Sequence, residues 1–243
     1  MTASISIQEY VTRQERYRWR RAFLRGLIRT VGFHLLCKTE VIGSENIPAD
    51  GPTILMMGHI SAIDPVLCLG AVTSRYVIPM TKIENARNPL FGLLVKAWGA
   101  YTVRRGEFDR AALTNSIELL KSGQIILIAP EGTRHPEGLQ QPRDGMAYIA
   151  TKADAVIVPV ALSDAVDFSK RWKRLRRAQA RVTFGQPFRF RTGGRARVPR
   201  LELAQMMQEA MYQLALAQPD PSLRGVYGDL SRATTDHLEF IRE

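Results

Sequence analysis

The run Ile125-Ile126-Leu127-Ile128-Ala129 has no polar face, so a strand made of it is stable only where both of its sides are covered. That requirement asks for helices above and below a sheet, and the chain supplies them by alternation. Strands are read at Thr39 to Ile42, Thr53 to Met57, Tyr76 to Met80, Ala100 to Val103, Ile125 to Ala129, Val156 to Leu162 and Arg181 to Phe184. Between them lie helical patterns: one starting near Asp64, one over Pro89 to Trp98, and one over Phe108 to Lys121. The last of these buries Ala112, Ile117, Leu119 and Leu120 and is stopped by Gly123. Asp144 caps a further helix through Lys152, and Val198 to Leu216 closes the pattern with Leu201, Met206, Met211 and Leu214 as apolar positions. Strands alternating with helices predict an α/β fold: a single catalytic domain with a mixed, largely parallel sheet flanked by helices. It is preceded by an amphipathic N-terminal helical segment. The boundaries are 1–38 for that segment, 39–217 for the domain, and 218–243 for a tail without assignable chemistry.

Two motifs follow directly on apolar strands. Gly58-His59-Ile60-Ser61-Ala62-Ile63-Asp64-Pro65 offers a base with a carboxylate five residues on; Glu131-Gly132-Thr133-Arg134 offers a carboxylate, a hydroxyl and an arginine. A hydroxyl attacks a carbonyl poorly unless its proton leaves during attack. Histidine, with a reference pKa of about 6.5, suits that task at neutral pH. His59 is therefore the candidate base, and Asp64 the group that fixes its tautomer and stabilises the imidazolium. Asp64 before Pro65 is also a good helix N-cap, and the two roles are compatible. Ser61 lacks the Gly-x-Ser-x-Gly elbow of a serine hydrolase, so the base is expected to act on an external hydroxyl directly and not through a serine nucleophile. Backbone N–H groups around Gly58, or at the start of the Asp64 helix, are the candidate oxyanion donors.

The order of four blocks carries a resemblance: Thr53 to His59, Gly99-Ala100-Tyr101-Thr102-Val103-Arg104-Arg105-Gly106, Ile125 to Arg134, and Val156-Ile157-Val158-Pro159-Val160. This succession resembles the glycerolipid acyltransferases, above all the 1-acylglycerol-3-phosphate (lysophosphatidic acid) acyltransferases. The resemblance implies transfer of an acyl group from acyl-CoA or acyl-carrier protein to a lysophospholipid, without cofactor or metal. It implies acceptor binding by Arg105 and Arg134, with Glu131, Gly132 and Thr133 beside them, and secondary contacts from Lys82 and Arg104. Glu131 is expected to orient Arg134 or a glycerol hydroxyl. Two departures are visible. Gly58 stands where the family often has asparagine, and Pro142-Arg143-Asp144-Gly145 where it often has Phe-Lys-Lys/Arg-Gly. An acyltransferase for another lysolipid, such as a lyso-aminolipid, is the alternative within this class. A non-catalytic basic module is the alternative outside it.

A net charge of +11 in 243 residues asks for an anionic partner, and the charge is clustered. On a helix over Ile7 to Leu36, Arg18, Arg21, Arg25 and Arg29 form one stripe. Leu24, Leu27, Ile28, Val31 and Leu35 lie broadly opposite, flanked by Phe23 and Tyr17. That pattern predicts a helix lying in a lipid interface, its arginines on an anionic surface. A second basic cluster is Lys170-Arg171-Trp172-Lys173-Arg174-Leu175-Arg176-Arg177, and a third runs through Arg189, Arg191, Arg195, Arg197 and Arg200. Nucleic acid is disfavoured, since no nucleic-acid-binding signature accompanies the charge. No run of about 18 apolar residues and no signal peptide are visible, which predicts a peripheral, monotopic protein on the cytoplasmic face of a membrane. Cys37 and Cys68 sit in apolar contexts as reduced core residues, not nucleophiles.

Overall fold

The computed structural model describes residues 7–89, 91–103, 110–143, 145–164, 168, 171, 174 and 176–241. Among these, nine strands form one mixed sheet: β1 (Cys37–Ile42), β2 (Thr53–Met57), β3 (Ile78–Lys82), β4 (Tyr101–Val103), β5 (Ile125–Ile128), β6 (Val156–Ser163), β7 (Ala178–Phe184), β8 (Phe188–Phe190) and β9 (Leu238–Phe240). The order is β1-β7-β6-β2-β5-β3-β4, with β8 pairing β6 and β9 pairing β8. From β6 to β4 every pairing is parallel, while β7 meets β6 antiparallel. The expected mixed, largely parallel sheet is present.

The helices are α1 (Ile7–Thr12), α2 (Gln14–Leu27), α3 (Asp64–Ala71), α4 (Ile83–Arg87), α5 (Phe91–Trp98), α6 (Arg110–Lys121), α7 (Gly145–Ala153) and α8 (Arg200–Ala217). Helix α2 runs on as a π-helical stretch, Ile28–Leu36. Alternate strand residues serve opposite cores. Ile54, Met56, Ile126 and Ile128 pack with Leu119 and Leu120 of α6, Ala147 of α7 and Met206, Met211 and Leu214 of α8. Leu55, Met57, Ile125 and Leu127 pack with Phe33, with Leu67 and Cys68 of α3, and with Trp98 of α5. Both faces of β5 are covered, as its continuous apolar run requires.

Some expectations fail in detail. Leu201 of α8 is 75% exposed, because it lies in the first turn, before the face that meets the sheet. Asp144 and the start predicted for α6 at Phe108 lie outside the described residues. The tail is part of the fold: β9 extends the sheet, and Tyr227 and Leu238 are buried in the same core as α8.

The N-terminal helix is docked the other way round from its expected orientation. Arg21 is buried, its Nε donating to Trp98 O at 2.7 Å and a terminal nitrogen to Gln14 Oε1 at 2.6 Å. Arg25 donates to Thr73 O at 3.0 Å and lies over the Tyr76 ring, and Arg29 donates to Gly70 O at 3.0 Å. These carbonyls lie at the C-terminal ends of α5 and α3, where unsatisfied acceptors and the helix dipole favour cations. Three members of the arginine stripe thus hold the helix to the domain, with Leu24 and Ile28 packed beside them. Trp19, Phe23, Leu27, Val31 and Leu35 point away from the core; Trp19 is 67% exposed, and Phe23 and Leu35 are each 68% exposed. Among the described residues, no helix is long and apolar enough to cross a membrane.

Candidate active site

Parallel strands deliver their carboxyl ends to one edge of the sheet, the edge at which open α/β sheets build their sites. There β2 leads into Gly58-His59, β5 into Ala129-Pro130-Glu131, and β3 ends on Lys82. The candidate base and the Glu-Gly-Thr-Arg loop, separated by about seventy residues in the chain, meet because β2 and β5 are paired neighbours.

His59 Nδ1 lies 3.3 Å from Asp64 Oδ2. A proton on Nδ1 donates to that carboxylate and leaves the Nε2 lone pair free to act as a base. The ring side is part-exposed at 18%, whereas Asp64 is fully buried. Asp64 is more than an orienting group: the same Oδ2 accepts the N–H groups of Ile60 at 2.7 Å and Ser61 at 2.6 Å. It reaches back to fix the turn that carries His59 and makes no side-chain cap on α3. Its second oxygen, Oδ1, is buried without a partner.

Glu131 is the second organiser. Its Oε2 accepts the His59 N–H at 3.2 Å, and its Oε1 accepts the Gln140 N–H at 2.8 Å. The His59 carbonyl in turn accepts the His135 N–H at 2.8 Å. Glu131 therefore holds the backbone of the base; the expectation that it orients Arg134 is not met. Burial pushes its pKa up, an effect only partly offset by those amide donors and by the nearby histidines.

Thr133 and Arg134 are exposed beside this loop, and Arg134 makes no hydrogen bond or ion pair among the described residues. Gly132 adopts φ +75°, a left-handed conformation that glycine takes without strain, and a Cβ on it would press on the Arg143 side chain. Lys82 is half-buried at the same sheet edge. Arg104 and Arg105, together with Lys170, Trp172, Lys173 and Leu175 of the second basic cluster, lie outside the described residues.

Four of the backbone N–H groups near the expected oxyanion position have acceptors within the protein. The Gly58 N–H donates to Val160 O at 3.1 Å, Ile60 and Ser61 to Asp64, and Asp64's own N–H to Ser61 O at 3.3 Å. The glycine at position 58 has a local reason: a Cβ there would stand 3.0 Å from Leu139 Cδ2, so Leu139 fills the space an asparagine side chain would need. Leu139 and Gln140 are the site residues that sequence reasoning missed. Nothing in the residues around Leu139 shows which distant backbone it will meet. Cys68 is fully buried, and burial with the Asp64 charge beside it holds its thiol well above the ordinary value, against a nucleophilic role. No group of three or more metal-ligating side chains occurs among the described residues.

Comparison with known proteins agrees with this architecture. The family described as Acyltransferase matches residues 38–163. The 1-acyl-sn-glycerol-3-phosphate acyltransferase of Bacillus subtilis is 30% identical over 175 residues, covering 72% of this chain and 84% of that protein. That of Borreliella burgdorferi is 32% identical over 134 residues, 54% of this chain and 53% of the relative, so this chain spans about half its length. The crystal structure of the 1-acyl-sn-glycerophosphate (LPA) acyltransferase PlsC from Thermotoga maritima shares the fold, with a TM-score of 0.60 at 23% identity over 82% of this chain and 79% of that one. With the match to the family spanning more than half of its residues, this chain belongs to the Acyltransferase family.

Proposed function

We propose that this chain transfers a fatty acyl group from an acyl thioester, acyl-CoA or acyl-carrier protein, to the free hydroxyl of 1-acylglycerol-3-phosphate, giving phosphatidic acid. The observation that carries this reading is the His59 Nδ1 to Asp64 Oδ2 contact at 3.3 Å, on a turn whose backbone is bound to the Glu-Gly-Thr-Arg loop. His59 Nε2 takes the acceptor proton as the hydroxyl oxygen attacks the thioester carbonyl. The tetrahedral intermediate collapses, the C–S bond breaks, and the imidazolium returns its proton to the leaving thiolate. Asp64 stabilises the transient imidazolium. Arg134, Thr133 and Gly132 bind the acceptor phosphate, joined by Arg105, with Lys82 and Arg104 as secondary contacts. The relatives named 1-acyl-sn-glycerol-3-phosphate acyltransferases support this acceptor over other lysolipids.

The test is purified protein with a long-chain acyl-CoA and a panel of lysolipids, followed by thiol release. Release with lysophosphatidic acid is the expected result. Release only with another lysolipid changes the acceptor, and no release with any donor leaves a basic binding module.

The acceptor is a membrane lipid, and the outward apolar row Trp19, Phe23, Leu27, Val31 and Leu35 is the surface suited to meet it, with exposed Leu93 and Leu94 on α5 nearby in the fold. Membrane contact in this reading is peripheral, on the cytoplasmic face, and comes from apolar insertion rather than from the arginine stripe.

A further inference from the structure

The C-terminal segment reaches the active site through a backbone clasp. Leu139 is held on both sides by it: its N–H donates to Leu223 O at 3.1 Å, and its carbonyl accepts the Val226 N–H at 3.0 Å. Each partner contributes a glycine that makes the approach feasible. Gly225 has φ +52°, and a Cβ on it would fall 2.1 Å from Leu139 O; Gly138 has φ +114°, and its Cβ would fall 2.8 Å from Leu223 O. No side chain fits between the two segments, so the closeness is written into the sequence as a pair of glycines.

From Leu139 two links lead to the base. Its side chain packs on Gly58, the residue before His59. The next residue, Gln140, gives its N–H to Glu131, whose other oxygen holds the His59 N–H. The far side of the clasp is anchored as firmly. The Tyr227 hydroxyl bonds Gln208 at 3.0 Å, and its ring meets Tyr212 edge-on at 5.1 Å. Farther along, buried Glu209 of α8 accepts the His237 N–H at 2.9 Å and pairs with that ring at 2.9 Å. A strap pinned at Tyr227 and His237 thus presses one residue against the turn of the base.

We infer that residues 221–241 form a positioning element of the active site, acting through Leu139 on the alignment of His59 with Asp64. The inference rests on the proposed acyl transfer, and its test separates the two: wild-type thiol release with lysophosphatidic acid tests the reaction, and the variants test the strap. Gly225→Ala lowers kcat by about tenfold or more while both KM values stay within about twofold and the far-UV spectrum is unchanged. In an Asp64→Asn background the same substitution changes kcat by less than about twofold, because the ring has already lost its partner. Equal losses in the two backgrounds, or wild-type kcat in Gly225→Ala, overturn the inference. Should Gly225→Ala fail to fold, Leu139→Ala replaces it under the same criteria. A readout independent of turnover is the ring-nitrogen resonance of His59 in labelled protein, assigned by its loss in His59→Ala. It moves in Gly225→Ala while that of His34 does not; an unmoved His59 signal overturns the inference.

Discussion

Glu131 carries its charge in a buried place, and the consequence can be read in stability. Its pKa is raised by burial. Below the ordinary carboxylate value the group is protonated in the folded and unfolded chains alike and contributes no pH dependence. As pH rises above that value the unfolded chain releases its proton first, so stability falls until the raised folded value is passed. Glu131→Gln removes that slope. The difference in Tm between variant and wild type therefore shifts in the variant's favour from about pH 4 to about pH 7; a constant difference would show that Glu131 is not the group responsible. The variant also loses one of two amide acceptor bonds and is expected to turn over more slowly. His59→Ala should cut turnover by about 10²–10⁴-fold with the fold intact. Asp64→Asn should cost nearly as much, and because Asp64 also holds the Ile60 and Ser61 amides, it should lower Tm where His59→Ala does not. Wild-type kcat in His59→Ala would discard the mechanism. Arg134→Ala should raise KM for a phosphate-bearing acceptor more than for acyl-CoA; equal losses with phosphate-bearing and phosphate-free acceptors would remove it from the headgroup site. His59 with Asp64, and the Glu-Gly-Thr-Arg run, were each legible in the sequence as short motifs, and their belonging to one site was implied by the order of the four family-like blocks. What Glu131 binds was not, since both of its partners depend on how β2 and the 138–140 turn are placed around it.

At the scale of elements, the N-terminal helix is where periodicity misled. A stripe of arginines opposite leucines reads the same whether the charges face lipid or protein, because a guanidinium is satisfied by phosphates and by carbonyls alike. The carbonyls won here because α3 and α5 end beneath the helix. Arg21→Ala is accordingly expected to destabilise the fold by about 1.5–3 kcal/mol, the worth of hydrogen bonds to a charged group, measured by urea unfolding. Replacing Trp19, Phe23 and Leu35 by serine should leave that stability unchanged and abolish flotation with vesicles. Each such side chain is worth about 1.5–3 kcal/mol when it leaves water. The loss should appear at low and high salt alike, since screening acts on charges and not on apolar insertion. Flotation of the triple variant at wild-type levels would return the anchor to the basic clusters. Helix α6 followed most of its pattern, with Ala112, Leu119 and Leu120 buried, Ile117 partly buried against the same core and Gly123 at φ +76° ending it, because those signals are local.

For the molecule as a whole, two cores share one sheet, and neighbouring residues of β5 serve both: Ile126 faces α6, α7 and α8, and Leu127 faces the α3 side. Ile126→Ala and Leu127→Ala should therefore each cost about 2–5 kcal/mol and shift the same single transition, followed in parallel by tryptophan fluorescence and far-UV circular dichroism. Separate transitions for the two substitutions would mean that the faces unfold independently. The sequence by itself determined the alternation of strands and helices, the double burial of β5, and the two motifs at strand ends. Each is encoded within a few residues by hydrophobic period, turn chemistry or short spacing. Only the tertiary structure decided that Arg21, Arg25 and Arg29 of the first helix face inward, that Glu131 grips the backbone of His59, and that Leu223 and Val226 close on Leu139. Those outcomes depend on acceptors and donors contributed by segments far apart in sequence, and no local pattern records which backbone groups a folded sheet will bring within hydrogen-bonding distance.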